Sequence, residues 1–121
     1  MRASYKEEIK ELLNRFIEKY NQKKTYQSMS LVEASRETSK ADFIIYQQYS
    51  DFEYPWLYVR CEFTKKATTE DKKRWFDEIG KPNAIVIYRE ADSEDKVVFD
   101  KFAGERPLHD WFKITLEGSW P

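Results

Sequence analysis

The segment Ala84-Ile85-Val86-Ile87-Tyr88 constrains this chain more than any other. Five apolar residues in a row, without alternation, leave no side for water. The run is also much shorter than a membrane span, so it predicts a strand buried on both faces. A second run, Leu57 to Phe63, alternates: Leu57, Val59, Cys61 and Phe63 share one side and Tyr58, Arg60, Glu62 and Thr64 the other. A helix is expected between these strands. Thr68 with Asp71 three residues on, or Thr69 one step later, supplies its cap; Lys72, Trp75, Phe76 and Ile79 form one face, and Gly80 with Pro82 stops it.

Upstream, Ile9, Leu12, Leu13, Phe16, Ile17 and Tyr20 recur at helical spacing, which predicts an amphipathic helix over residues 5–21 capped by Ser4 and Glu7. From Thr25 to Glu33 the period becomes two, with Met29 and Leu31 on one side. Ala34 to Lys40 reads as a polar turn, Phe43 to Tyr46 as a strand, and Gln47 to Pro55 as a polar, aromatic loop. Val97 to Phe99 suggests a further strand; Leu108 to Leu116 fits a helix or a strand equally. The expected order is αβββαβ with C-terminal decoration: an α/β fold of the α+β type, in which a hairpin, a right-handed crossover helix and a buried strand build one mixed sheet. At 121 residues the chain, 1–121, is expected to be a single domain.

Composition narrows the chemistry. Cys61 and His109 are each the sole residue of their kind, which excludes a disulfide within the chain, a cysteine zinc cage and a histidine-rich metal site. The single thiol and the lack of an apolar leader or membrane-length run lead to the expectation of a cytoplasmic protein without a membrane partner. Twenty-one basic residues nearly balance 22 acidic ones, against a globally basic nucleic-acid binder. The charges are nonetheless segregated: residues 1–24 carry net +3 and residues 90–110 net −4, with Glu90 to Asp95 expected as a solvated loop. Carboxylates, lysines and aromatics are what remains for function.

Two carboxylates stand out. Asp42 opens one strand and Glu62 lies near the end of the next, so antiparallel pairing brings both to one sheet edge. Such a pair can bind Mg²⁺ through oxygen, and the ion can polarise a phosphate and activate water, with a nearby lysine stabilising the developing charge. The competing expectation is structural: Asp42 ends a turn, and Glu62 occupies the wetted face of an alternating strand.

Residues 41–89, read as ADFIIY, LYVRCEFTKK, ATTEDKKRWFDEIG and NAIVIY, resemble the PD-(D/E)XK nuclease superfamily, especially its virus-type replication-repair (VRR-NUC) and Holliday-junction-resolvase branches. The resemblance implies a restriction-endonuclease-like core and an endonuclease that hydrolyses DNA, branched DNA included, with Mg²⁺ or Mn²⁺ held by Asp42 and Glu62. It implies a further metal-supporting glutamate from the first helix, for which Glu7, Glu8 and Glu11 qualify, and a homodimer as one possible assembly. Ala41 replaces the family's proline. Thr64 replaces its lysine, leaving Lys65, or Lys72 on the following helix, to take the catalytic role. Loss of that lysine also suits a second expectation, a catalytically inactive nuclease-fold module that binds a protein or a nucleic acid, such as a phage- or virus-encoded inhibitor.

The aromatics Tyr46, Tyr49, Phe52, Tyr54 and Trp56 either stack on unpaired bases or roof a small core, and the core role is the expected one. Cys61, on the apolar side of its strand, is expected to fill the core, and Lys72 to run its stem over the sheet with its ammonium in water.

Overall fold

The structure, a computed structural model, describes residues 3–24 and 26–118, with side chains from Tyr5 onward. It is a mixed α/β fold. Helix α1 spans Ala3–Lys23, β1 Gln27–Glu33, α2 Arg36–Ser39, β2 Phe43–Tyr49, β3 Phe52–Thr64, α3 Thr69–Ile79, β4 Ala84–Glu90, β5 Lys96–Val98, β6 Glu105–Pro107 and α4 Leu108–Glu117. The six strands form one sheet in chain order, β1 to β6. Every neighbouring pair is antiparallel except β3 and β4, which are parallel and joined through α3.

Two clusters of apolar side chains make the core, one on each face of the sheet. On one face Ile9, Leu13, Phe16 and Tyr20 of α1, with Trp111 of α4, meet Phe43, Ile45, Val59, Cys61, Ile87 and Val97. On the other, Trp75 and Ile79 of α3 cover Val86, Tyr88 and Val98. Successive strand residues point to opposite faces, so β4, buried throughout from Ala84 to Tyr88, supplies Ile85 and Ile87 to the first cluster and Ala84, Val86 and Tyr88 to the second. The unbroken apolar run therefore has the double cover expected of it. The alternation in β3 also holds: Leu57, Val59 and Cys61 face α1, while Tyr58 faces α3.

Helix α3 starts with the expected capping box, in which the Thr68 hydroxyl accepts from the Asp71 N–H and the Asp71 carboxylate accepts from the Thr68 N–H, each at 3.0 Å. It ends at Gly80, whose φ of 65° is costly for any residue with a Cβ. At the N-terminus α1 begins at Ala3, ahead of the Ser4 cap, and the Ser4 side chain lies outside the described residues, as does Thr25.

Three expectations need correction, and one open alternative is decided. Gln47 to Pro55 is not a loop but the far part of a long β2–β3 hairpin that turns at Ser50 and Asp51. Its polar and aromatic residues alternate across a two-stranded ribbon, a pattern that resembles a loop when judged on polarity alone. Ala34 to Lys40 contains α2, a single helical turn too short to show periodicity, closed by Lys40 at φ 60°. Leu108 to Leu116 is helical, within α4. Asp95, placed in a solvated acidic loop, is drawn into the structure by Arg89 Nε at 2.9 Å and by the Tyr5 hydroxyl at 2.9 Å.

A register shift interrupts the hairpin between Ile45 and Tyr46, leaving Trp56 as an extra residue opposite them. Bulged residues break alternation, so Trp56 and Leu57 both pack into the α1–α4 cluster, with Trp56 6.5 Å from the Trp111 ring. The carbonyls of Pro55 and Trp56 accept from Asn83 Nδ2 at 2.8 and 3.0 Å. Asn83 thus fixes the bulge from the loop leading into β4. Asn83→Ala is expected to lower unfolding free energy by about 1–2 kcal/mol, measured by urea denaturation, because two partly buried carbonyls lose their donor.

Candidate functional site

Asp42 and Glu62 come together. Asp42 sits just ahead of β2, its N–H donating to the Val59 carbonyl at 2.8 Å and its own carbonyl accepting from the Ala34 N–H at 2.9 Å. That backbone pairing turns its side chain to the α3 face, the face that Arg60 and Glu62 share by alternation. Asp42 is 2 % exposed, and Glu62 is half-buried.

A cation already stands between the two acids. Arg36 Nη2 lies 3.0 Å from Asp42 Oδ2 and 2.8 Å from Glu62 Oε2, and also donates to the Cys61 carbonyl. Arg36 Nε donates to both Asp42 oxygens, at 3.2 and 3.1 Å, and the Cys61 N–H completes the shell of Oδ2 at 2.8 Å. The network continues along β3. Arg60 Nε lies 2.8 Å from Glu62 Oε2, and Arg60 Nη1 lies 2.9 Å from Glu78 Oε2 on α3. Burial by itself would lower the Arg36 pKa, but hydrogen bonding and charge from Asp42, then Glu62, outweigh it and raise the value. The hydrogen bond from Arg60 holds Glu78 below the ordinary carboxylate range.

The local reason for this arrangement is α2. One helical turn between β1 and β2, held by Lys40 N–H donating to the Arg36 carbonyl at 3.1 Å, sets Arg36 against the carboxylate six residues later. The polarity of the Ala34–Lys40 turn concealed this role. A physical signal was available nonetheless: a buried aspartate needs a countercharge, and Arg36 and Lys40 are the cations between β1 and Asp42.

The other candidates lie elsewhere. Lys65 is exposed beyond the end of β3. Lys72 is turned away from the acid pair: its ammonium is 3.1 Å from Glu105 Oε1 and 5.2 Å from the centre of the Tyr88 ring. Its stem does cover the sheet, but its side chain is largely buried in an ion pair rather than ending in water. Glu7 and Glu11 are exposed on α1, which packs on the opposite face, and Glu8 pairs with Arg89 at 3.3 Å. Cys61 is fully buried, and burial, followed by the Asp42 charge, pushes its thiol well above its ordinary value, so it fills core as expected. Among the described residues no group of three or more His, Cys, Asp or Glu side chains is assembled to hold a metal ion.

In this arrangement the acid pair does not fit Mg²⁺. The ion requires oxygens at about 2.0–2.1 Å in an octahedron, whereas the space between Asp42 and Glu62 is filled by a guanidinium already paired with both. A cavity of about 640 Å³ opens on the α1–α4 side, lined by Tyr5, Phe63, Arg89, Asp95 and Phe112 among others. Its arginine is held internally by Asp95 and Glu8.

Two predictions follow from these ion pairs. Arg36→Met should cost about 2–4 kcal/mol in urea denaturation, below the top of the range for broken buried pairs because a third of Arg36 is wetted. Arg36→Met combined with Asp42→Asn should cost less than the two losses added; strict additivity would show that the residues are not coupled. The second concerns alkaline pH. Tyr88 donates its hydroxyl to Glu105 and Tyr5 donates to Asp95; burial and then these carboxylates raise both phenols. Because the folded-state values lie above the unfolded value of about 10, their stabilisation is intact below pH 10 and is lost as pH rises further. Tyr88→Phe should make that alkaline loss shallower, with tyrosinate absorbance tracking unfolding.

Comparison with protein-family models, with curated proteins and with solved structures finds no match to this chain.

Proposed function

We propose that this chain is a binding module on a nuclease-like scaffold, in which an arginine has taken over the electrostatic task that a metal performs in the nucleases its motif resembles. The carrying observation is the single nitrogen, Arg36 Nη2, within hydrogen-bonding distance of both Asp42 and Glu62. Support for the scaffold comes from the order of elements: a helix, three antiparallel strands with the one-turn α2 between the first two, a helix and a parallel strand, with one acid just ahead of β2 and the other on β3. Support for loss of catalysis comes from Thr64 in the motif-lysine position, from Lys65 beyond the strand end and from Lys72 engaged with Glu105. A guanidinium pairs with the acids and orients them, but it cannot ionise a bound water as a divalent ion does. What is left at this end of the sheet is rigidity rather than hydrolysis.

The second function is a metal-dependent endodeoxyribonuclease, and the convergence of Asp42 with Glu62 favours it. Incubation of branched and linear DNA with Mg²⁺ or Mn²⁺ separates the two. No cutting is expected from the wild type, and calorimetry is expected to detect Mn²⁺ binding in Arg36→Ala that the wild type lacks. Metal-dependent cutting by the wild type, abolished in both Asp42→Ala and Glu62→Ala, would establish the enzyme and defeat the binding module.

A further inference from the structure

The β2–β3 hairpin ends in aromatic residues that the core does not use. Of the five aromatics between Tyr46 and Trp56, Trp56 packs inward, Tyr46 is half-buried, and Tyr49 and Phe52 are 54 % and 68 % exposed. Tyr49 pairs with Phe52 across the hairpin and Gln47 with Tyr54, so by the two-residue period all four side chains share one face. That face is the α1 side, since Gln47 Nε2 donates to the Tyr20 hydroxyl at 2.9 Å. The Phe52 and Tyr54 rings lie 6.1 Å apart, and Tyr54 is fixed by donating its hydroxyl to Gln47. Tyr26, 82 % exposed, lies one residue before β1, whose first residue pairs with Tyr49.

The end of α1 brings positive charge to this shelf. The helix crosses the sheet obliquely, from Tyr5 against Phe63 of β3 to Tyr20 and Asn21 against Gln27 and Met29 of β1. Lys23 is the last residue of α1, and Lys24 follows it, its N–H donating to the Tyr20 carbonyl at 3.0 Å. Both lysines are exposed, and they precede by four and three residues Gln27, the β1 residue that pairs with Tyr49. Among nearby acids, Glu53 pairs with Gln48 and falls on the opposite face, and Asp51 is in the turn.

We infer that this shelf binds single-stranded nucleic acid, with unpaired bases stacked on Phe52, Tyr49 and Tyr54 and the phosphate backbone following Lys23 and Lys24. Exposed π-faces beside cations suit a flexible strand whose bases are free to turn outward; a duplex keeps its bases stacked and offers phosphates alone. The inference rests on the binding-module assignment and names its ligand class. The shelf is about 17 Å or more from the acid pair, five residues back from Gln47 of β2 to Asp42 and eight along β3 from Tyr54 to Glu62, so the two ends can be altered separately.

The test is fluorescence anisotropy in EDTA with labelled oligo-dT, oligo-rU and a duplex, and variants whose urea midpoint matches the wild type. Saturable binding of one or both single strands, tighter than of duplex, is expected, and the dT and rU arms tell DNA from RNA. Phe52→Ala should weaken it by about 5- to 160-fold. Lys23→Glu with Lys24→Glu should flatten the dependence of log K on log salt by roughly 1.4. Absence of saturable binding, equal affinity for duplex, or unchanged affinity in both variants would overturn the inference, even if a protein were found to dock there. The cleavage assay is scored independently: cutting with intact shelf binding removes the non-catalytic assignment alone, and neither cutting nor binding removes the shelf alone.

Discussion

A buried aspartate is the constraint on which the rest of this structure depends. Asp42 is almost without solvent, and an ionised carboxylate in such a place is stable only if positive charge and hydrogen-bond donors surround it. Arg36 supplies three contacts and the Cys61 N–H a fourth. To do so, the chain leaving β1 must wind into one helical turn before it can enter β2. The path of residues 34–42, the start of β2 and its alignment with β3 thus answer to a single desolvated charge. Glu62 and Arg60 extend the cluster to α3 through Glu78, so the polar face of β3 is linked to the helix above it where apolar packing ends.

The two faces of the sheet divide the labour. The α1–α4 face holds most of the apolar core, and the smaller α3 cluster covers the second face of the same strands. Ion pairs and tyrosine hydroxyls finish the edges of these clusters: Lys72 and Tyr88 on Glu105 on one side, Arg89 and Tyr5 on Asp95 on the other. In both cases a tyrosine carries apolar area into the core and leaves its hydroxyl for a carboxylate at the rim.

Legibility in the sequence followed the physics of each signal. The doubly buried β4, the alternation of β3 and the capped α3 were legible because each is written in the spacing of neighbouring residues. The outer hairpin was not, since Gln47, Gln48, Ser50, Asp51 and Glu53 make it polar, and pairing between two strands leaves no mark within either one. The convergence of Asp42 with Glu62 followed from antiparallel pairing. The identity of their neighbour did not, because a four-residue helix has no periodicity to detect and its arginine looks like any other surface charge. Lys72 was placed on the correct face of α3, but the pairing of β6 beyond β5, which delivers Glu105 to it, had no counterpart in the expected strand order.

An arginine between two carboxylates and a divalent ion between two carboxylates solve the same electrostatic problem with different consequences. The ion keeps positions for water and substrate, and it can be exchanged. The guanidinium spends its donors on Asp42, Glu62 and the Cys61 carbonyl, and its covalent tether returns it to the same place whenever it is displaced. A site of the second kind stiffens the junction of β1, β2 and β3. Those three strands continue, without a break in pairing between β1 and β2, to the far end where Tyr49 and Phe52 stand in solvent beside the end of α1. A stacking surface gains from such support, because a ring held in one orientation loses less freedom when a base lies against it. The charge cluster and the aromatic shelf thus lie toward opposite ends of the same antiparallel strands, on either side of the Trp56 bulge.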